Sequence, residues 1–283
     1  MIENQIKQPR LAVLACACLL LVGTAKLRSA EPAPSYEMGF RNITNIQGDL
    51  LAALDRRQRQ LVGTSTKLLA DVRMPCIASL PGADAKTAGG PVQLSSGFID
   101  FVNRVAHAKA IDETERGFFR RYTTQISLQT RGNGAPDFQT LVSANAQSFQ
   151  TMNRQASQFN QMVGGLIAID LAHQYLGHYG KHSAEFPTQA AFPMPVNELI
   201  TEQEWRTAVL RGAQNALACG LGVEGLKTVF ECFDHMPSRP AWATYFIHPK
   251  ANVTKINAEL GKLERDFFVM NGDMQKGGFG KSR

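Results

Sequence analysis

An unbroken apolar stretch that runs straight into a cluster of histidines is the feature that most limits how this chain can fold. Residues Val163 to Ile169 are strongly apolar, and three of the six histidines in the 283-residue chain follow between positions 173 and 182. Apolar residues at helical spacing lead into this stretch from Phe138 onwards, which predicts a helix in the core. Imidazoles at the end of such a helix need either hydrogen-bond partners or a metal ion.

The rest of the pattern predicts a helix-dominated domain with a small β element, a mainly α fold of the α+β class. Apolar residues recur at three-, four- and seven-residue steps from Ile43 to Leu68, which predicts an N-terminal helix within residues 42–74 that Pro75 stops. Residues 76–95 carry Pro and Gly around short apolar pieces and predict two strands and a loop. Further helices are predicted at about 97–111, 115–130, 138–163, 202–219, 223–236 and 251–269.

The N-terminus has the pattern of a targeting segment. Lys7 and Arg10 precede an apolar run from Leu11 to Gly23, after which small residues follow. This order is typical of a secretory signal over residues 1–25 and predicts an exported protein, periplasmic or extracellular. The alternative is an uncleaved membrane anchor that keeps residues 11–23 at the membrane, although a span needs about 20 apolar residues. A flexible leader over 26–41 and a disordered tail over 271–283 complete the predicted domain organisation.

Composition and charge argue against two classes of protein. Apolar residues make up 44% of the chain and charged residues 19%, which excludes a disordered polyelectrolyte. The formal charge is +6, but the densest basic cluster, Arg56, Arg57 and Arg59, alternates with Gln on a predicted helix. A solvated helix face explains that cluster, so no nucleic-acid partner is expected. Cys219 and Cys232 either form a disulfide across a helical hairpin or stay buried as free thiols.

The spacing of the histidines decides which of them could share a metal ion. At about 100° per residue, an i,i+5 pair lies about 140° apart, so His173 and His178 would not face one metal on a regular helix. A single π-bulge, which we favour, would re-align these two imidazoles. Without a bulge, His178 and His182 form the i,i+4 pair. A third interpretation is a helix whose histidines are satisfied by hydrogen bonds alone.

The histidine segment also resembles a known motif. Its sequence, LAHQYLGHYGKHSAE, is similar to the LAHELGHxxxRHSAE stretch of the gluzincin zinc metallopeptidases of the HtpX/Oma (Ste-type) family. The resemblance implies a zincin-like metallopeptidase domain over residues 75–270, with an insertion at about 113–162, built around the histidine-bearing helix. Weaker matches to the same family occur in the same order at Pro91–Phe98, Leu221–Phe233 and His248-Pro249.

The resemblance implies a Zn²⁺ site and a set of ligands. The two histidine ligands of the family fall on His173 and His178, with His182 as the alternative ligand. The third ligand of the family, a glutamate that begins a later helix, falls on Glu202. Glu204, two residues on, has an explanation that needs no metal, because Thr201 and Glu204 also form a T-x-x-E capping box.

Three departures from the family bear on activity. Gln174 stands at the position of the catalytic general base, and a glutamine amide has no useful basicity at neutral pH. Arg206 replaces an aspartate near the third ligand, and the histidine spacing is one residue longer. His248 lies in the family's His-Pro element near the active site. The sequence therefore predicts an exported zinc metallopeptidase-like protein whose peptide hydrolysis is doubtful; the alternative is an inactive pseudo-peptidase that binds peptides or unfolded proteins in the cell envelope.

Overall fold

The computed structural model describes residues 35–79, 89–129, 141–185 and 194–278, with side chains between 42 and 271 of those ranges. Residues Tyr36–Arg283 form one compact unit, and only Ser35 of the separate unit Met1–Ser35 is described. The predicted signal segment therefore lies outside the described residues. Within the described ranges, no helix combines the length and the apolar character that crossing a membrane requires.

Helices dominate the described chain, and three short strands accompany them, so the predicted mainly α fold of the α+β class is confirmed. Three 3₁₀ turns also occur, at Ser183–Glu185, Val196–Glu198 and Ala241–Tyr245. The helices and strands follow in the order α1 (Ser35–Ala53), α2 (Arg56–Gln60), β1 (Thr66–Leu69), β2 (Ile77–Ser79), β3 (Val92–Ser95), α3 (Ser96–Asp112), α4 (Phe118–Gln129), α5 (Phe149–Tyr175), α6 (His178–Lys181), α7 (Glu202–Ala218), α8 (Glu224–Asp234) and α9 (Val253–Gly278).

The three strands form one sheet in the order β1-β3-β2. β1 pairs with β3 in parallel and β2 pairs with β3 antiparallel, so that Leu94 of β3 lies between Leu68 and Ile77. β2 and β3 are buried along their whole length, including the polar residues Ser79, Gln93 and Ser95. Ser95 ends β3 and caps α3, because its hydroxyl accepts a hydrogen bond from the backbone N–H of Phe98. The two strands predicted within 76–95 are confirmed.

Helix α5 is the centre of the fold, and it contacts α3, α7, α8 and the sheet. Its side chains are buried without interruption from Met162 to Gln174, through the apolar stretch and into the first histidine. Around α3 and α8 an aromatic cluster fills the core, with the rings of Phe101 and Trp242 5.1 Å apart in an edge-on arrangement. The predicted histidine-bearing core helix is therefore confirmed.

The N-terminal region differs from its prediction. Instead of one helix within 42–74, α1 ends at Ala53 and Asp55 begins α2, where Asp55 and Gln58 form a reciprocal capping box. The chain then extends into β1, because pairing with β3 outweighs the helical spacing of its leucines. α1 also includes residues 35–41 of the predicted flexible leader. At the other end, α9 includes residues 271–278 of the predicted disordered tail, a stretch that contains no proline to stop a helix.

The cysteines of the described chain are unpaired. Cys76, Cys219 and Cys232 are all free thiols, so the predicted alternative without a disulfide is the one that this structure contains. Cys219 lies at the end of α7, where its thiol donates a hydrogen bond to the carbonyl of Ala216. Cys232 is buried within α8, and burial raises the pKa of its thiol. Neither thiol is placed to act as a reactive nucleophile.

Candidate functional site

A helix break, and not a π-bulge, brings His173 and His178 together. α5 ends at Tyr175, and Gly177 follows in the left-handed region with φ of 78°, after which α6 begins at His178. The backbone N–H of Gly177 bonds to the carbonyl of Gln174, as in a helix C-cap that ends in glycine. This sharp turn places the two Nδ1 atoms 2.8 Å apart. The predicted bulge was wrong, but the predicted pairing of these two imidazoles is present.

The histidine pair is buried, and burial disfavours a positive charge on either ring. His173 is 2% exposed and His178 is 6% exposed. Burial, together with the charge of His178, lowers the pKa of His173 well below its ordinary value. Burial also lowers the pKa of His178, while the carboxylate of Glu204 opposes the decrease in both rings. The short distance between the Nδ1 atoms is therefore one hydrogen bond, in which one ring donates its N–H and the other accepts it.

We expect Gly177→Ala to lower the free energy of unfolding by about 1–2 kcal/mol, because an L-residue adopts the left-handed conformation only at that cost. A Cβ added at Gly177 meets nothing within 4 Å, so the backbone conformation alone determines the loss. Gly48→Ala is the matched control. It also meets nothing within 4 Å but lies inside α1, where alanine should stabilise the helix by about 0.5–1 kcal/mol. Urea denaturation of both variants should give opposite signs, and equal effects would contradict this account.

A buried carboxylate that sequence analysis missed organises the end of α5. Asp170 accepts three hydrogen bonds: from the Ser79 hydroxyl at 2.5 Å, from the Tyr179 hydroxyl at 2.6 Å and from Nε2 of Gln174 at 3.2 Å. Burial raises the pKa of Asp170, and the three hydrogen bonds oppose that increase. This Asp170 cluster ties β2, α5 and α6 together. A lone aspartate inside an apolar helix was the available signal, since buried carboxylates are almost always paired.

Gln174 belongs to the Asp170 cluster and not to the histidine pair. Its Nε2 donates to the Ser79 hydroxyl at 2.6 Å as well as to Asp170, and its Oε1 accepts from the backbone N–H of Gly63 at 2.7 Å. The backbone packs closely around the amide, because a Cβ on Gly89 would lie 1.7 Å from Oε1. Both ends of the amide are therefore used, the donor end and the acceptor end, in an arrangement that a carboxylate could not reproduce.

The predicted third ligand, Glu202, is not brought to the histidine pair as part of a ligand set. Glu202 is exposed at the start of α7, where its charge acts on Arg206. Within the described ranges, no group of three or more His, Cys, Asp or Glu side chains could hold a metal ion together. The carboxylate that acts on both imidazoles is Glu204, which is bound instead to Lys181 at 2.5 Å. The predicted capping box between Thr201 and Glu204 is confirmed.

We expect the free energy of unfolding of Glu204→Gln to decrease less than that of the wild type as the pH falls below 4.5. Hydrogen bonds from Lys181 and from the backbone of Thr201 lower the pKa of Glu204 from 4.5 to about 2. A depressed pKa means that the ionised group stabilises the fold above pH 4.5, and that this stability is lost as the pH falls towards 2. The wild type should therefore lose more stability than the variant over that interval, as measured by urea denaturation at stepped pH. Glu202→Gln, in the same helical turn, is the control, and an identical slope in wild type and Glu204→Gln would refute the assignment.

The remaining predicted site residues have structural contacts. His248 uses both ring nitrogens on the backbone: Nε2 lies 3.2 Å from the carbonyl of Ile200, and Nδ1 accepts from the N–H of Lys250 at 3.1 Å. His182 follows α6 and its Nδ1 lies 3.4 Å from the carboxylate of Glu185. His182 is thus one turn beyond His178, as the alternative ligand pair requires, but among the residues that the structure describes no third ligand joins them.

Arg206, which stands where the resemblance implies an aspartate, links two helices. Its Nε and one terminal nitrogen donate to the two carboxylate oxygens of Glu259 at 2.5 and 2.7 Å. This two-pronged contact joins α7 to α9. Arg206 therefore contributes to helix packing.

Two cavities adjoin the site and share Tyr245 as a wall. The inner one is small, about 20 Å³, and its polar lining includes Asp170, His173 and Asn197. The outer one is a groove of about 280 Å³, close to the lower limit of small-molecule pockets, which is about 300 Å³. Its lining is mainly apolar and includes Met74, Pro195, Glu198, Ala241, Trp242 and Tyr245.

Comparison with known proteins adds no relative. The chain matches no protein-family model, no curated protein and no solved structure. The resemblance to gluzincin metallopeptidases therefore stays a prediction, and the geometry of the site carries the functional argument.

Proposed function

We propose that this chain is an exported, metallopeptidase-like protein that does not hydrolyse peptides and that binds peptide segments or unfolded proteins in the cell envelope. The observation that supports the absence of peptide hydrolysis is the position of Gln174. Its amide is engaged at both ends, by Gly63 on one side and by Ser79 and Asp170 on the other. A glutamine amide held in this way cannot accept a proton from a water molecule, and it points into the protein interior.

The site provides only some of the ligands that a catalytic zinc ion needs. His173 and His178 supply two nitrogens close together, but a catalytic zinc site takes three protein ligands and keeps an open position. Among the described side chains the third ligand is missing, since Glu202 is exposed and Glu204 is bound to Lys181. The residues therefore do not fit the catalytic site that the resemblance implies. Zinc binding through His173, His178 and Glu202, with His182 as the alternative ligand, stays a prediction.

The first experiment separates an inactive protein from a peptidase. The purified chain is analysed for zinc and incubated with casein, with and without a chelator, alongside Gln174→Glu and His178→Ala. We expect no casein cleavage from any of the three proteins. Cleavage by the wild type that the chelator abolishes, together with one zinc per chain that is lost in His178→Ala, would contradict the proposal.

The binding part of the proposal rests on the outer groove. Its indole, phenol, thioether and proline surfaces suit apolar side chains, and Glu198 adds one carboxylate at the edge. Tyr245 separates the groove from the cavity beside His173, so a peptide bound in the groove would lie close to this predicted zinc ligand. Peptide segments with apolar and basic side chains are the class of ligand that this lining suits.

The second experiment blocks the groove without disturbing the core. Ala241 is exposed on a 3₁₀ turn and lines the groove, so Ala241→Trp should obstruct it. Binding is measured by fluorescence anisotropy with reduced, carboxymethylated α-lactalbumin, a permanently unfolded probe. We expect Ala241→Trp to weaken binding about tenfold and Ala184→Trp, an equally exposed alanine on another 3₁₀ turn, to leave it unchanged. No binding by the wild type, or equal binding by the two variants, would overturn the assignment.

A further inference from the structure

Two buried polar atoms beside the histidine pair have no hydrogen-bond partner in the described chain. They are Nε2 of His173 and Oδ1 of Asn197. Both residues are almost completely shielded, with exposures of 2% and 4%. Because nearly all buried polar atoms in folded proteins are hydrogen-bonded, two such atoms side by side in one region require a common explanation.

Both residues line the inner cavity. Its volume of about 20 Å³ exceeds the roughly 10–15 Å³ that one water molecule needs. The other polar groups in its wall already have partners, since Asp170 accepts three hydrogen bonds and Tyr179 donates to Asp170. Tyr245, which also lines the cavity, is not without an interaction of its own. The unpartnered atoms that remain for an occupant are therefore those of His173 and Asn197.

We propose that a single ordered water occupies this cavity and joins Nε2 of His173 to Oδ1 of Asn197. The orientation of the Asn197 amide is set by its other end, which donates to the carbonyl of Thr244 at 2.8 Å. Oδ1 can only accept, so the water donates one hydrogen to it and forms its second hydrogen bond with Nε2.

The water gives Asn197 a role at the histidine pair. The ring of His173 is held at Nδ1 by His178 and, through the water, at Nε2 by Asn197. Two hydrogen bonds on opposite sides of an imidazole fix the rotation of its ring. Asn197 is thus a positioning residue for His173. This inference goes beyond the proposed function, because it holds whether or not the chain binds peptides or zinc.

A crystal structure of the full chain that shows ordered solvent tests the proposal directly. We expect one solvent peak at about 2.7–3.2 Å from both Nε2 of His173 and Oδ1 of Asn197. A dry cavity would overturn the proposal, and so would a direct hydrogen bond from either atom to a protein group.

Val196→Ile tests it in solution. Val196 lines the cavity, and its additional methyl group would displace one water. We expect a change in the ¹⁵N chemical shift of Nε2 of His173 and a lower melting temperature than in Val253→Ile, a control at the same 5% exposure outside the cavity. A dry cavity predicts the reverse, because the methyl group would fill a void. An unchanged ¹⁵N shift with a melting temperature at or above that of the control would overturn the proposal.

Discussion

Asp170→Ala should lower the free energy of unfolding by about 3–5 kcal/mol, the cost of leaving several buried donors without their acceptor. The substitution leaves three donors without their acceptor: the hydroxyls of Ser79 and Tyr179 and the amide of Gln174. An unsatisfied buried donor costs about 1–3 kcal/mol, so even partial relaxation leaves a large loss. The loss should be the largest of any single substitution considered for this protein, because these donors come from β2, α5 and α6.

Equilibrium urea denaturation at neutral pH measures the effect. Tyr179→Phe removes one of the three donors and also the acceptor of the Ser79 backbone N–H, so it should cost about 2–4 kcal/mol, the value of one hydrogen bond to a charged group plus one neutral hydrogen bond. Asp49→Ala, at an exposed position of α1, is the control and should stay within about 0.5 kcal/mol of wild type. A loss below about 1 kcal/mol in Asp170→Ala would show that the cluster contributes little to the fold.

Gln174→Glu should destabilise the protein by about 3 kcal/mol at neutral pH and should not create a peptidase. The new carboxylate oxygen would replace a donor that lies 3.2 Å from the Asp170 carboxylate. At that separation two unit charges repel by about 5 kcal/mol at an effective dielectric constant of about 20, and proton uptake by one carboxyl reduces the cost. The same change removes the hydrogen bond to the Ser79 hydroxyl.

The pH dependence identifies the cause. A second carboxyl beside Asp170 would have a raised pKa in the folded protein, so the fold is favoured while that carboxyl is protonated. The variant's deficit should therefore be small near pH 4 and grow as the pH rises above about 4.3, the ordinary pKa of glutamate. Gln174→Met is the matched control, which loses the same hydrogen bonds without adding charge; its deficit relative to wild type should grow less with pH than that of Gln174→Glu, because only the pKa of Asp170 is raised further. Parallel pH profiles for the two variants would rule out charge repulsion.

The sequence predicted the elements that local residues define. The long core helix, its histidines, the helices α3, α7 and α8, and the two strands around Ile77 and Val92 follow from apolar spacing and turn residues. The capping box of α7 could be predicted because both of its members lie within four residues. By contrast, the histidine pairing was predicted with the wrong mechanism. Gly177 already signalled a helix C-cap, and that end of α5 explains the geometry without a bulge.

The roles of Gln174, Glu202 and Arg206 could not be predicted from local pattern. Position in the motif indicated a missing general base, yet the amide of Gln174 is bound by Gly63, 111 residues away. Likewise, Arg206 reaches Glu259 across 53 residues, a contact that the motif does not indicate. Motif spacing describes neighbours on one helix, whereas these contacts depend on which other elements pack against it.

By itself, then, the sequence determined a mainly helical fold around a histidine-bearing core helix, because apolar periodicity decides which face of each helix is buried. Only the tertiary structure decided what the polar residues at the end of that helix do. Ser79 of β2 lies 91 residues from Asp170, and the sheet must form before its hydroxyl meets the carboxylate. A buried carboxylate is tolerable only when several donors converge on it from different elements, and such convergence is a property of packing. That convergence turns the glutamine at the motif's catalytic position into a structural hydrogen-bonding group.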